Sequence, residues 1–141
     1  MNPLKQFRLA LTLTQEQLAE KAGVTKQTVV DTEQGLFPRI PPSLVQATGV
    51  SQKDYREWVK LTRQSNLREL AVDLTRVDSF RDYTEQVAGS TRGFARVLVI
   101  QTSVVRDYIA HGLRWEMVDC ALREAGVPDD LVVFLSKLDR E

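Results

Sequence analysis

His111 and Cys120 are the only histidine and the only cysteine in 141 residues. Count alone would allow a Cys–His nucleophile pair, in which the imidazole takes the thiol proton. Their surroundings argue against it. His111 lies beside a helix-stopping glycine, Gly112, and Cys120 falls on an apolar helix face, so both read as structural. One histidine and one cysteine do not make a metal-ligand cluster. No Gly-rich phosphate loop, Gly-x-Ser-x-Gly elbow or Ser–Lys arrangement occurs. Trp58 and Trp115 sit in amphipathic patterns and read as packing residues rather than base-stacking platforms. No enzyme, cofactor or metal is expected. What remains is chemistry of hydrogen-bond donors: residues 90–114 carry Arg92, Arg96, Arg106 and Arg114 against a single acid, Asp107.

The elements that must position such donors are helical throughout. Thr14 with Gln17 three residues on is a capping box, and Gly23 stops the helix it opens. Thr25 opens a helix that Gly35 closes. Pro41-Pro42 suits the first turn of another, because proline's missing N–H would be unbonded there anyway. Gly49 ends it, and Ser51 with Asp54 caps a longer segment through Leu61. Residues 67–77 carry Leu67, Leu70, Leu74 and Val77 on one stripe and predict an amphipathic helix. Asp78 or Ser79 caps a helix ending at Gly89, Ser90 opens the next, and helices are expected over 101–111, 115–125 and 128–139. The fold class is all-α, in two small helical domains. The polar run Arg63-Gln64-Ser65-Asn66 marks the boundary, giving 1–64, a linker helix over 65–78, and 79–141.

With 43% hydrophobic and 27% charged residues the composition is that of a soluble globular protein. No stretch approaches the ~20 apolar residues of a membrane span, and the N-terminus has no signal-peptide character. A lone cysteine makes no internal disulfide and suits a reducing cytoplasm.

Leu4 to Arg8, then Leu13-Thr14-Gln15-Glu16-Gln17-Leu18-Ala19-Glu20-Lys21-Ala22-Gly23-Val24-Thr25-Lys26-Gln27-Thr28-Val29, then Glu33-Gln34-Gly35, closely resembles the helix-turn-helix of the lambda repressor and Cro (XRE-type) family. The resemblance covers residues 4–61 and matches spacing as well as residue type. Ala19 stands where two helices approach closely, Gly23 supplies the positive φ of the turn, and Leu18, Val24 and Val29 fix the angle between the helices. It implies a five-helix first domain and duplex DNA as the partner. A recognition helix places its N-terminal residues against base edges in the major groove. Here those are Thr25, Lys26, Gln27 and Thr28. Lys26 donates to guanine, Gln27 pairs with adenine, Thr28 touches a thymine methyl or a phosphate, and Val30 adds apolar contact. Gln15 matches the family position that grips phosphate at a helix N-terminus. The resemblance also implies a structural pair between Arg8 and Glu33. Two positions depart from the family: Thr32 stands in place of a larger buried apolar residue, and Asp31 in place of a basic or neutral one. Asp31 repels phosphate, so this helix is expected to sit slightly differently in the groove.

Sliding the chain onto itself by 76 residues aligns Leu4 with Phe80, Thr14 with Ser90, Leu18 with Phe94, Ala19 with Ala95, Val24 with Ile100 and Val29 with Val105. From Gly35 the offset is 77, setting Gly35 on Gly112 and Gly49-Val50 on Gly126-Val127. Few positions are identical, but caps, stops and apolar positions coincide, which suggests a degenerate second copy. Arg8 and Glu33 map onto Thr84 and Ile109, so both halves of the ion pair are lost together. Val99 replaces the turn glycine. Valine resists positive φ, so the second turn is expected to differ or the likeness is partly accidental. The second reader would be Gln101, Thr102, Ser103 and Arg106, with Arg92 and Arg96 on phosphates. The alternative is a helical oligomerisation or partner-binding domain.

Two mechanisms follow. One chain could set two different readers in successive major grooves of an asymmetric operator. Alternatively residues 67–141 form a homodimer, and two first domains read a palindrome spaced about one helical turn, roughly 34 Å. A third reading is an antitoxin or anti-activator that grips a protein partner and autoregulates its promoter. The family resemblance suggests a repressor of phage or mobile-element type. Zero net charge does not exclude DNA, because residues 1–64 sum to +3 and residues 65–141 to −3.

Overall fold

Short polar side chains set the helix starts. The Asn2 side-chain carbonyl accepts from the backbone N–H of Leu4 (2.9 Å) and Lys5 (3.3 Å) and opens α1 (Pro3–Ala10). Thr14 and Gln17 bond reciprocally at 3.1 and 2.9 Å and open α2 (Gln15–Ala22), which is the expected capping box. Thr25 caps α3 (Lys26–Glu33). The proline pair starts α4 (Pro42–Thr48), and the Ser51 hydroxyl accepts from Asp54 N–H at 3.0 Å in the first turn of α5 (Gln52–Ser65). The computed structural model describes residues 1–37 and 39–141, and every regular element among them is helical.

The chain divides into two units, Met1–Val59 and Lys60–Glu141. In the first, α2 packs on α3 and α4 while α1 packs on α3. Leu4, Leu18, Val29, Leu44, Tyr55 and Val59 are fully buried, and Ala19 is buried at the α2 face as its small size requires. Trp58 is half-buried, its ring 5.4 Å from that of Tyr55.

The second unit holds α6 (Leu67–Leu70), α7 (Phe80–Ala88), α8 (Thr91–Leu98), α9 (Thr102–His111), α10 (Trp115–Ala125) and α11 (Asp129–Lys137). Its core centres on Phe80, which meets Phe94, Tyr108 and Trp115 edge-on at 5.7, 4.9 and 5.8 Å. That geometry is preferred between aromatic rings. Trp115 is thus a packing residue, as expected.

Three sequence expectations are corrected here. The continuous helix over 67–77 is broken into α6 and a 3-10 turn at Leu74–Arg76. Two side chains end it: the Tyr83 hydroxyl donates to the Leu70 carbonyl (2.9 Å), and Asp73 accepts from the backbone and hydroxyl of Thr75 (3.1 and 2.6 Å). Asp in this role competes with helix. The boundary falls at Val59–Lys60 rather than after Gln64, because Arg63 and Asn66 are structural members of the second unit. Arg63 is 5% exposed, and Asn66 donates to the Val97 carbonyl at 3.0 Å. Cys120 is exposed rather than part of an apolar face. No helix among the described residues is long and apolar enough to cross a membrane.

Candidate nucleic-acid interface

The turn between α2 and α3 is built as its sequence requires. Gly23 adopts φ 70°, ψ 31°, and Val24 N–H returns to the Ala19 carbonyl at 3.0 Å. Three groups then fix α3. Arg8 grips Glu33 with a two-pronged contact, Nε to Oε2 at 2.8 Å and Nη2 to Oε1 at 2.9 Å, and its Nη1 donates to the Leu13 carbonyl at 3.0 Å. The pair is largely buried, and the Glu33 hydrogen bonds push the Arg8 pKa further above its ordinary value. The Thr32 carbonyl accepts from both Asn2 Nδ2 (2.9 Å) and the Tyr55 hydroxyl (3.1 Å). Thr32 itself is fully buried, its hydroxyl donating to the Thr28 carbonyl at 2.7 Å. A threonine fits this site because its one polar atom is satisfied within the helix.

The expected reading residues gather on the first turns of α3. Thr25, Lys26 and Gln27 are exposed, while Gln15, Thr28 and Val30 are half-buried. The Thr25 and Thr28 hydroxyls are hydrogen-bonded at 2.9 Å. Lys26 Nζ lies 3.3 Å from Glu16 Oε1, with both side chains well exposed, so the pair gives way to a better acceptor at little cost. Gln27 Nε2 donates to Asp31 Oδ1 at 2.7 Å. Asp31 therefore holds the Gln27 side-chain amide while presenting a carboxylate on the same helix.

A helix-turn-helix family model matches residues 4–47. An uncharacterised HTH-type transcriptional regulator of Methanothermobacter thermautotrophicus is 40% identical over 57 residues, covering 40% of this chain and 78% of that relative. The chain belongs to the helix-turn-helix transcriptional regulators. No solved structure matches it significantly. As a member of that family it is a DNA-binding regulator, with α2 and α3 as its helix-turn-helix.

The helix-turn-helix regulator carries a second turn of the same construction. Val99 adopts φ 53°, ψ 53° between α8 and α9, so the second turn does not differ as its valine led us to expect. Ile100 N–H returns to the Ala95 carbonyl at 3.0 Å, matching Val24 on Ala19. Ser90 accepts from Gly93 N–H at 3.0 Å, as Thr14 does from Gln17. The strained valine is held from outside: Arg63 Nε donates to the Leu98 carbonyl (2.6 Å) and Nη2 to that of Val99 (3.1 Å). Arg63 Nη1 pairs with Glu124 at 2.9 Å.

Of the residues assigned to a second reader, Arg92, Arg96, Ser103 and Arg106 are exposed, and Gln101 and Thr102 are half-buried at the start of α9. Arg106 shares a cleft of about 300 Å³ with Thr91 and with Arg81 of α7. No motif singles out Arg81, since only the packing of α7 beside α8 and α9 brings it there. In the first unit Arg39, Gln52, Lys53 and Arg56 line another cleft, of about 400 Å³. Gln52 builds it by clamping Ile40, accepting from its N–H (3.2 Å) and donating to its carbonyl (2.5 Å). That clamp, made across 12 residues of sequence, sets Arg39 beside Lys53 and Arg56 of α5, a juxtaposition that no motif announces. Among the described residues no group of His, Cys, Asp and Glu could hold a metal ion.

Proposed function

We propose that this chain is a transcriptional repressor that reads duplex DNA with two unlike recognition helices, α3 and α9. In the first, Thr25, Lys26, Gln27, Thr28 and Val30 face bases and Gln15 faces a phosphate. In the second, Gln101, Thr102, Ser103 and Arg106 face bases, with Arg92 and Arg96 on phosphates. The observation that carries the reading is the left-handed Val99, which returns the chain through the same hydrogen bonds as Gly23. A β-branched residue rarely accepts that conformation unless the surrounding structure demands it. The two readers differ in every base-facing side chain, so the operator is asymmetric. Tethering two readers on one chain supplies the effective concentration that dimerisation otherwise provides. Arg106 is the strongest candidate guanine reader, because arginine donates two bonds to O6 and N7. The phage or mobile-element role rests on the family likeness alone.

Footprinting of the full chain on the DNA upstream of its own coding sequence, with a promoter reporter, tests the reading. The expected result is an asymmetric footprint over neighbouring major grooves and a fall in reporter output. Arg106→Ala and Gln27→Ala are each expected to cost about 1–3 kcal/mol and to relax preference at one base. If Gln27→Ala weakens binding while Arg106→Ala leaves it intact, α9 is not a reader. A rise in reporter output makes the chain an activator.

A further inference from the structure

The cleft of about 300 Å³ in the second unit is lined by Arg81 of α7, Thr91 of α8, and Arg106, Ile109 and Ala110 of α9. That volume lies at the small end of the range for ligand pockets. Its chemistry has two sides. Two guanidiniums and a hydroxyl come to it from three different helices, and Ile109 and Ala110 supply an apolar wall. Thr91 is the first residue of α8, so the positive end of that helix adds to the charge. Among the described residues no acid lines the cleft. Carboxylates are nonetheless drawn to Arg81. Glu85 and Glu141 lie 3.7 and 3.9 Å from its guanidinium, too far for hydrogen bonds, and all three side chains are more than half exposed. Such pairs contribute little and yield to a carboxylate that bonds directly.

We propose that this cleft is an effector site for a small carboxylate with a compact apolar body. A carboxylate is planar and matches the fork of a guanidinium. The wall of Ile109 and Ala110 calls for an apolar body behind the charge, which a bare inorganic anion lacks. Thr91 adds a hydroxyl donor. Occupancy of the cleft has a consequence for DNA, and that consequence rests on the reading of α9 as a recognition helix. Arg106 cannot offer one guanidinium edge to a guanine while the same edge holds a carboxylate, and the bound negative charge repels phosphate. The carboxylate therefore acts as an inducer, releasing the second reader while α3 keeps its own contacts.

Calorimetric titration of the full chain with phenylacetate tests the site without DNA. A Kd on the order of a millimolar or below is expected. Acetate lacks the apolar body and 2-phenylethanol lacks the charge, so each should bind at least about tenfold more weakly. Arg81→Gln removes one fork and Ala110→Phe fills the cleft, and each should weaken phenylacetate by about tenfold or more. Both positions are exposed, so thermal unfolding should be nearly unchanged. In mobility titrations phenylacetate should lower the DNA affinity of the wild type several-fold. In Arg81→Gln the ratio of affinities with and without it should fall to about one. A chain that binds no phenylacetate overturns the site and leaves the α9 reading to Arg106→Ala on DNA. Inorganic phosphate or 2-phenylethanol binding as tightly as phenylacetate also overturns it, as does phenylacetate binding that both variants leave intact. Phenylacetate that binds through Arg81 yet leaves DNA affinity unchanged keeps the site and overturns α9 as a reader.

Discussion

The Arg63 guanidinium donates to the carbonyl of Val99 at 3.1 Å, and Val99 is a buried β-branched residue held at φ 53°. The contact joins the end of α5 to the turn between α8 and α9. It also satisfies carbonyls that end α8 and would otherwise be buried without donors. Arg63→Ala removes those bonds together with the ion pair to Glu124. A loss of about 3 kcal/mol is expected in the unfolding of the second unit. Urea denaturation followed by Trp115 fluorescence measures it, and a loss below about 1 kcal/mol would deny Arg63 this role.

The two turns should respond unequally to a change of side-chain size. A Cβ at Gly23 would meet nothing within 4 Å, yet φ is +70°. Gly23→Ala is therefore expected to cost about 1–2 kcal/mol through backbone strain alone. Val99→Gly relieves similar strain but gives up a buried side chain, and the two effects nearly cancel. Paired melting curves of the two variants decide the point.

Glu33 is buried with Arg8, its side chain 4% exposed. Glu33→Ala leaves the guanidinium without its counter-charge and should destabilise the first unit by about 3 kcal/mol. Trp58 fluorescence reports that transition. Arg8→Met with Glu33→Leu should recover much of the loss, since apolar side chains of similar volume fill the site without leaving a buried charge.

All three tyrosines, Tyr55, Tyr83 and Tyr108, are held above the ordinary value of 10.0, in each case chiefly by burial disfavouring the phenolate. Their neutral forms therefore favour the folded state at every pH below 10, and this stability is lost as pH rises beyond that value. A spectrophotometric titration should show less phenolate near pH 10 in the folded chain than in the unfolded chain, followed by a cooperative rise as it unfolds. Tyr55→Phe and Tyr83→Phe should each make alkaline unfolding less steep.

Asp31 engages Gln27 and adds a negative charge to α3. Asp31→Asn should strengthen DNA binding several-fold at low salt, with the gain shrinking as salt rises. Electrophoretic mobility titrations at two salt concentrations test this. Equal affinity in both proteins would place residue 31 away from phosphates.

Much of the architecture can be read from local chemistry. Asn, Ser and Thr at helix starts and glycine at helix ends act through bonds within a few residues. The caps at Thr14, Thr25, Ser51, Ser79 and Ser90 therefore stand where the amino-acid pattern puts them. The helix-turn-helix at residues 4–47 is equally legible, because its spacing is its geometry. The break in the 67–77 stripe is not, since it depends on the Tyr83 hydroxyl arriving from another helix. Nor is the conformation of Val99. Local sterics oppose it, and only the Arg63 fork and the burial of the valine side chain overcome that opposition. The cleft of Arg39 beside Lys53 likewise exists because Gln52 holds Ile40. The sequence by itself determined where most helices begin and end, the 67–77 stripe excepted, and which helix-turn-helix the first unit forms. The tertiary structure alone decided how a valine could serve as a turn glycine, because that required hydrogen bonds between residues far apart in the chain.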